Sequence, residues 1–83
     1  ALGEHKDAIG DYDEAIRLHP EYPEAFTFRG AARGALGEYE DARADYVRAL
    51  DLAERQGRAD LAKAIRVIRA AIERLDGNRS PTA

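Results

Sequence analysis

From Glu4 to Leu18 the apolar residues Ala8, Ile9, Ala15 and Ile16 each lie three or four positions from Tyr12, the spacing that lines one side of an α-helix. A helix is therefore predicted there, broken by the stretch His19-Pro20-Glu21-Tyr22-Pro23, because proline cannot continue a helix and restricts the residue before it. Pro23 suits the first position of a new helix and Glu24 its first turn, so a second helix should run to about Leu36 and end at Gly37. A third, from about Glu38 to Arg55, carries Ala42, Tyr46, Ala49 and Leu50 along its apolar stripe and stops at Gln56-Gly57. In the last predicted helix, about Arg58 to Leu75, the residues Leu61, Ile65, Ile68, Ile72 and Leu75 step by four, three, four and three. They read as one continuous seam, with Lys63, Arg66, Arg69, Glu73 and Arg74 largely on the other faces. Residues 76–83 read as a frayed tail.

Gly10 tests this register, since Gly followed by Asp11 also fits a helix start. Comparing the chain with itself decides the matter. Shifted by 34 positions, ten of the eighteen pairs between residues 1–18 and 35–52 are identical, among them Gly3/Gly37, Ala8/Ala42, Asp11/Asp45, Tyr12/Tyr46, Ala15/Ala49 and Leu18/Leu52. A shift of 27, which would set Gly10 on Gly37, matches only Gly10, Tyr12 and Ala15 among residues 10–20. The longer period places Gly10 inside a helix and predicts the turns at Gly3 and Gly37. Because Ala35-Leu36-Gly37 closes a helix that begins near Pro23, the matching Ala1-Leu2-Gly3 implies a helix lost upstream, so the chain reads as a fragment of a longer protein.

A period of 34 with small residues at helix contacts and aromatics between them resembles the tetratricopeptide repeat, a helix-turn-helix unit. The stretch PEAFTFRGAARGALGEYEDARADYVRALDL carries the likeness. Phe26 stands at an aromatic position, Gly30 at the small contact of the first helix, Gly37 and Tyr39 at the turn, and Ala42, Tyr46 and Ala49 in the second helix. Gly3, Ala8, Tyr12, Ala15 and Pro20 repeat part of the pattern. The resemblance implies an all-α fold of four helices, antiparallel helix-turn-helix repeats in a short right-handed superhelix. Residues 1–22 would be a partial repeat holding its second helix only, 23–56 a full repeat, 57–76 a C-terminal capping helix and 77–83 a flexible tail. Gly30 and Ala42 would let the helices approach closely, while Phe26, Tyr12 and Tyr46 fill the edges. Three features depart from the pattern: Arg29 where Leu is frequent, with its stem expected along the core and its head in water; Glu54 in place of the closing Pro; and a last helix without the signature.

Composition adds limits rather than chemistry. Eighty-three residues make one small domain at most. There is no Cys, hence no disulfide or thiolate, and no apolar run near the length of a membrane span. Residues 1–54 are net −7 and residues 55–83 net +4, and the acidic first part argues against nucleic-acid binding. The bases Arg55, Arg58, Lys63, Arg66, Arg69 and Arg74 lack interleaved exposed aromatics and read as a solvated face. His5 and His19 are fourteen apart with no Cys beside them, so no metal site is expected. Asp11-Tyr12-Asp13-Glu14 lacks the later Gly and Glu of a calcium loop. Gly30, Gly34 and Gly37 do not follow a strand as a phosphate loop would. Neither a catalytic constellation nor a cofactor is expected, and the Ala- and Arg-rich composition suggests a bacterial, cytoplasmic source.

Function is then expected to be protein or peptide binding. The resemblance implies a concave groove lined by the first helix of the repeat, here Glu24, Thr27, Phe28, Ala31, Gly34 and Ala35, with Phe28 as a hydrophobic anchor. A well-known branch of the resembled family clamps a C-terminal carboxylate with Lys, Arg and Asn; Glu24 and Phe28 at those positions oppose that ligand. The second expectation is self-assembly into a homodimer, through a face at Ala8, Tyr12 and Ile16 left uncovered by the missing helix, or through salt-sensitive pairing of acidic and basic halves.

Overall fold

The computed structural model describes residues 2–79 of the chain, with side-chain surroundings for residues 3–77. Over these residues it is all-α: α1 (Leu2–Leu18), α2 (Pro23–Ala35), α3 (Tyr39–Arg55) and α4 (Ala59–Arg79). Each helix packs against the next in sequence, α2 with α3 most extensively. The chain is only 16 Å across its thinnest dimension, little more than one helix diameter of about 10–12 Å. Every helix therefore keeps a face to solvent.

Two left-handed glycines set the turns. At Gly37 (φ +80°) the Glu38 N–H donates to the Arg33 carbonyl at 2.9 Å and the Gly37 N–H to the Gly34 carbonyl at 3.0 Å. At Gly57 (φ +70°) the Arg58 N–H reaches the Ala53 carbonyl and the Gly57 N–H the Glu54 carbonyl. Both are Schellman closures, in which a residue free of a Cβ penalty turns the chain and satisfies the last carbonyls. Pro23 opens α2 behind an extended Tyr22, as the missing N–H of a first-turn proline allows.

The helix expectations need two corrections. Gly3 is no turn but part of the first turn of α1, without the positive φ that the Gly37 closure requires. Gly10 is helical, as the repeat predicts. The last helix continues past Leu75 through Gly77 to Arg79, so 76–79 are not a frayed tail. Arg43 of α3 anchors that extra turn by donating to Asp76 Oδ2 at 2.7 Å. The remainder of the expected tail, 80–83, lies outside the described residues.

The core comprises Phe26, Ala42, Tyr46, Ala49, Leu52, Ala53, Ala62, Ile65 and Ile72, with Ile16, Tyr39, Leu50 and Leu61 packed at its margin. Tyr46 is its centre rather than an edge filler. A Cβ on Gly30 would lie 2.8 Å from the Tyr46 ring, so the glycine admits the ring into α2. A Cβ on Gly34 would meet Ile72 Cδ1 at 2.8 Å and Ala42 Cβ at 4.0 Å. Gly3 has nothing within 4 Å and is not a packing residue.

The fourth-helix seam is also rotated from its expected line. Ile65 and Ile72 are buried, joined by Ala62, but Ile68 and Leu75 are exposed. Ala62, Ile65, half-buried Arg69, Ile72 and half-buried Asp76 form the face turned inward. Small Ala62 lets α4 sit close on its neighbours, and the Arg43–Asp76 bond holds it at that rotation.

Candidate functional site

The expected groove residues divide into three environments. Thr27 is buried, its hydroxyl donating to the Pro23 carbonyl at 2.9 Å, and Gly34 lies beneath Ile72. Glu24 is engaged by Arg58 of the α3–α4 turn through a two-pronged ion pair, with Arg58 Nη1 to Glu24 Oε1 at 2.8 Å. That pairing holds the Glu24 carboxyl below its ordinary range. Phe28, Ala31 and Ala35 remain exposed. They stand at i, i+3 and i+7 on α2, hence on one face.

Phe28 is held in place while half its surface stays open. Its ring lies 5.8 Å from that of Tyr12, tilted by 34°, in the range where aromatic pairs attract. Tyr12 comes from α1, so two helices build one aromatic shelf. Beyond Phe28 the two alanines leave the surface low. Ala8, Tyr12 and Ile16, expected as an exposed self-association face, are all half-buried, with Tyr12 on Phe28 and Ile16 against the core.

Beneath this surface lies an ion cluster that was not expected. Arg29 donates from Nε and Nη2 to both oxygens of buried Asp45, at 3.0 and 2.7 Å, and from Nη1 to Asp13 at 2.8 Å. Arg33 Nη1 adds a bond to Asp45 Oδ2 at 3.0 Å. The Arg29 guanidinium also lies over the Phe26 ring, 5.5 Å from its centre. The Arg29 head is therefore not in water: hydrogen bonding to Asp45 first, then to Asp13, raises its basicity against the opposing effect of burial. Burial, then the Asp45 charge, likewise pushes the Tyr46 phenol up. The signal for this cluster was Asp45 itself, three after Ala42 and four before Ala49 on the apolar stripe. An acid there needs a cation.

A concavity, about 660 Å³ in volume, opens at the α1–α2 connection among Leu18, His19, Pro20, Tyr22, Gln56 and Arg58. Gln56 Nε2 donates to the Glu21 carbonyl at 2.6 Å, tying this loop to the α3–α4 turn. His19 is exposed and His5 half-buried. Among the described residues no group of three or more His, Cys, Asp or Glu is placed to hold a metal, and no helix is long and apolar enough to cross a membrane. Compared with known protein families, curated proteins and solved structures, the chain matches none.

Proposed function

We propose that this chain is a non-catalytic binding scaffold that takes an extended peptide or a partner helix along the exposed face of α2. The observation that carries this reading is Phe28, half-exposed yet fixed against Tyr12, followed on the same face by Ala31 and Ala35. A preordered aromatic beside low ground suits an apolar side chain of a ligand, because the anchor loses little freedom on binding. Thr27 and Gly34 support the floor of this face rather than meeting the ligand. Glu24, tied to Arg58, closes its N-terminal end with a charge pair. At that end the Arg58 cation is already paired with Glu24 and so is not available to an anionic peptide terminus, which favours apolar, neutral ligand chemistry.

Selection from a random-peptide display library, followed by titration, tests the reading. Selected peptides should carry a large apolar residue, and Phe28→Ala should weaken them about tenfold or more, with circular dichroism showing the variant still helical at the titration temperature. Peptides that bind Phe28→Ala as tightly as the parent would overturn it.

A further inference from the structure

Seven large hydrophobic residues stand exposed among the described residues, and three of them, Val67, Ile68 and Leu75, lie on α4. They belong to an ordered face. Leu61, Ala64, Ile68, Ala71 and Leu75 step by three, four, three and four, next to the stripe that α4 turns inward. Asp60, Val67 and Arg74 follow along the outer edge, seven apart. Asp60 and Arg74 have no ion-pair partner among the described residues.

We propose that this face is a homodimer interface, in which α4 packs antiparallel on α4 of a second copy of the chain about a two-fold axis beside Val67. The face is complementary to itself in that one arrangement. With Leu61, Ile68 and Leu75 at one core position of a heptad and Ala64 and Ala71 at the other, the antiparallel pair turns at the level of Arg66 and sets Leu61 against Ala71 of the second copy and Ala64 against its Ile68, so each layer pairs a large side chain with an alanine. The two helices can then approach closely. At the position flanking that core, where Asp60, Val67 and Arg74 stand, Asp60 comes beside Arg74 of the second copy, and symmetry repeats the pair. A parallel arrangement would place Asp60 beside Asp60 and Arg74 beside Arg74, which repel. Acid at one end, base at the other and an apolar middle therefore select a second copy as occupant, and they select its direction. This interface lies on α4, away from the aromatic shelf of α2, so its standing is independent of peptide binding.

Light scattering across a concentration series, joined to a crosslink, tests the proposal. The chain has no Cys, so Val67→Cys introduces a single thiol at a position 65% exposed. The mass should rise from 9.2 kDa toward twice that value. A short bifunctional maleimide should link Val67→Cys into a covalent dimer, since the two Val67 positions flank the axis of helices packed about 8–10 Å apart. Val47→Cys, on α3 and 53% exposed, should stay largely unlinked. Asp60→Arg should weaken the dimer roughly tenfold, and Asp60→Arg combined with Arg74→Asp should restore it. Ile68→Glu should abolish the dimer yet leave selected peptides bound, whereas Phe28→Ala should do the reverse. A mass fixed at 9.2 kDa, as for a face covered by another helix of a longer chain, would overturn the proposal. So would a dimer that links no faster through Val67→Cys than through Val47→Cys, or a double charge exchange no better than the single one.

Discussion

Arg29 of α2 and Asp45 of α3 share a two-pronged bond, Nε to Oδ2 at 3.0 Å and Nη2 to Oδ1 at 2.7 Å, with the carboxylate 4% exposed. Because the pairing is planar and two-toothed, it fixes the rotation of α2 about its own axis. That rotation is what turns Phe28 outward while Phe26 and Gly30 face the core. A polar pair inside the fold thus positions the proposed binding surface outside it.

Asp45→Ala should therefore be among the most disruptive single substitutions. It leaves Arg29 and Arg33 partly buried beside each other without their shared anion, which costs about 3–5 kcal/mol. Asp13→Asn, removing the partner that is 53% exposed, should cost less than about 1 kcal/mol. Urea denaturation of both variants measures the contrast.

Glycine substitutions should separate packing from propensity. Gly30→Ala pushes a methyl group into the Tyr46 ring and should destabilise by about 1–3 kcal/mol, as overpacking does. Gly10→Ala, in an open part of α1 with nothing within 4 Å, should instead stabilise by up to about 1 kcal/mol. Thermal unfolding of the two variants should move in opposite directions.

Much of this arrangement was legible in the sequence. The period of 34 placed Gly10 inside a helix, and the pattern placed Gly37 at a turn and Ala42, Tyr46 and Ala49 on a buried stripe. Gly3 misled because identity with Gly37 does not by itself impose the positive φ that the Gly37 closure requires. The rotation of α4 was hidden for another reason: Leu61, Ile65, Ile68, Ile72 and Leu75 span two adjacent faces, and only the fit of Ala62 and the Arg43–Asp76 bond decides which turns inward. Of the expected groove, Phe28, Ala31 and Ala35 lie open, while Thr27 and Gly34 are taken by packing that a single helix pattern does not reveal. The Arg29–Asp45 pair spans sixteen residues, so local spacing could mark Asp45 as anomalous without naming its partner.

Alkaline pH should expose the burial of Tyr46. Its pKa is raised in the folded state by burial, with Asp45 adding to the effect, so the folded chain holds this proton more tightly than the unfolded chain. The associated stability is fully present below the ordinary value of 10.0 and is lost as pH rises through the raised folded value. Urea titrations at increasing pH should show this decline, and Tyr46→Phe should flatten it.

At the acidic end the sign reverses. Arg58 lowers the pKa of Glu24 in the folded state, so that contribution is present above the ordinary value of 4.5 and fades as pH falls through the lowered one. Glu24→Gln should remove this part of the acid dependence in the same titrations.

The central claim is that ligand binds on the open face of α2. Titrating a display-selected peptide into isotopically labelled chain and following the backbone amide resonances tests it most directly. Shifts clustered at Phe28, Ala31 and Ala35, with Tyr12 following Phe28, are the predicted result; shifts centred on Leu18, Tyr22 and Gln56 at the α1–α2 connection, with α2 beyond Phe28 unmoved, would contradict it.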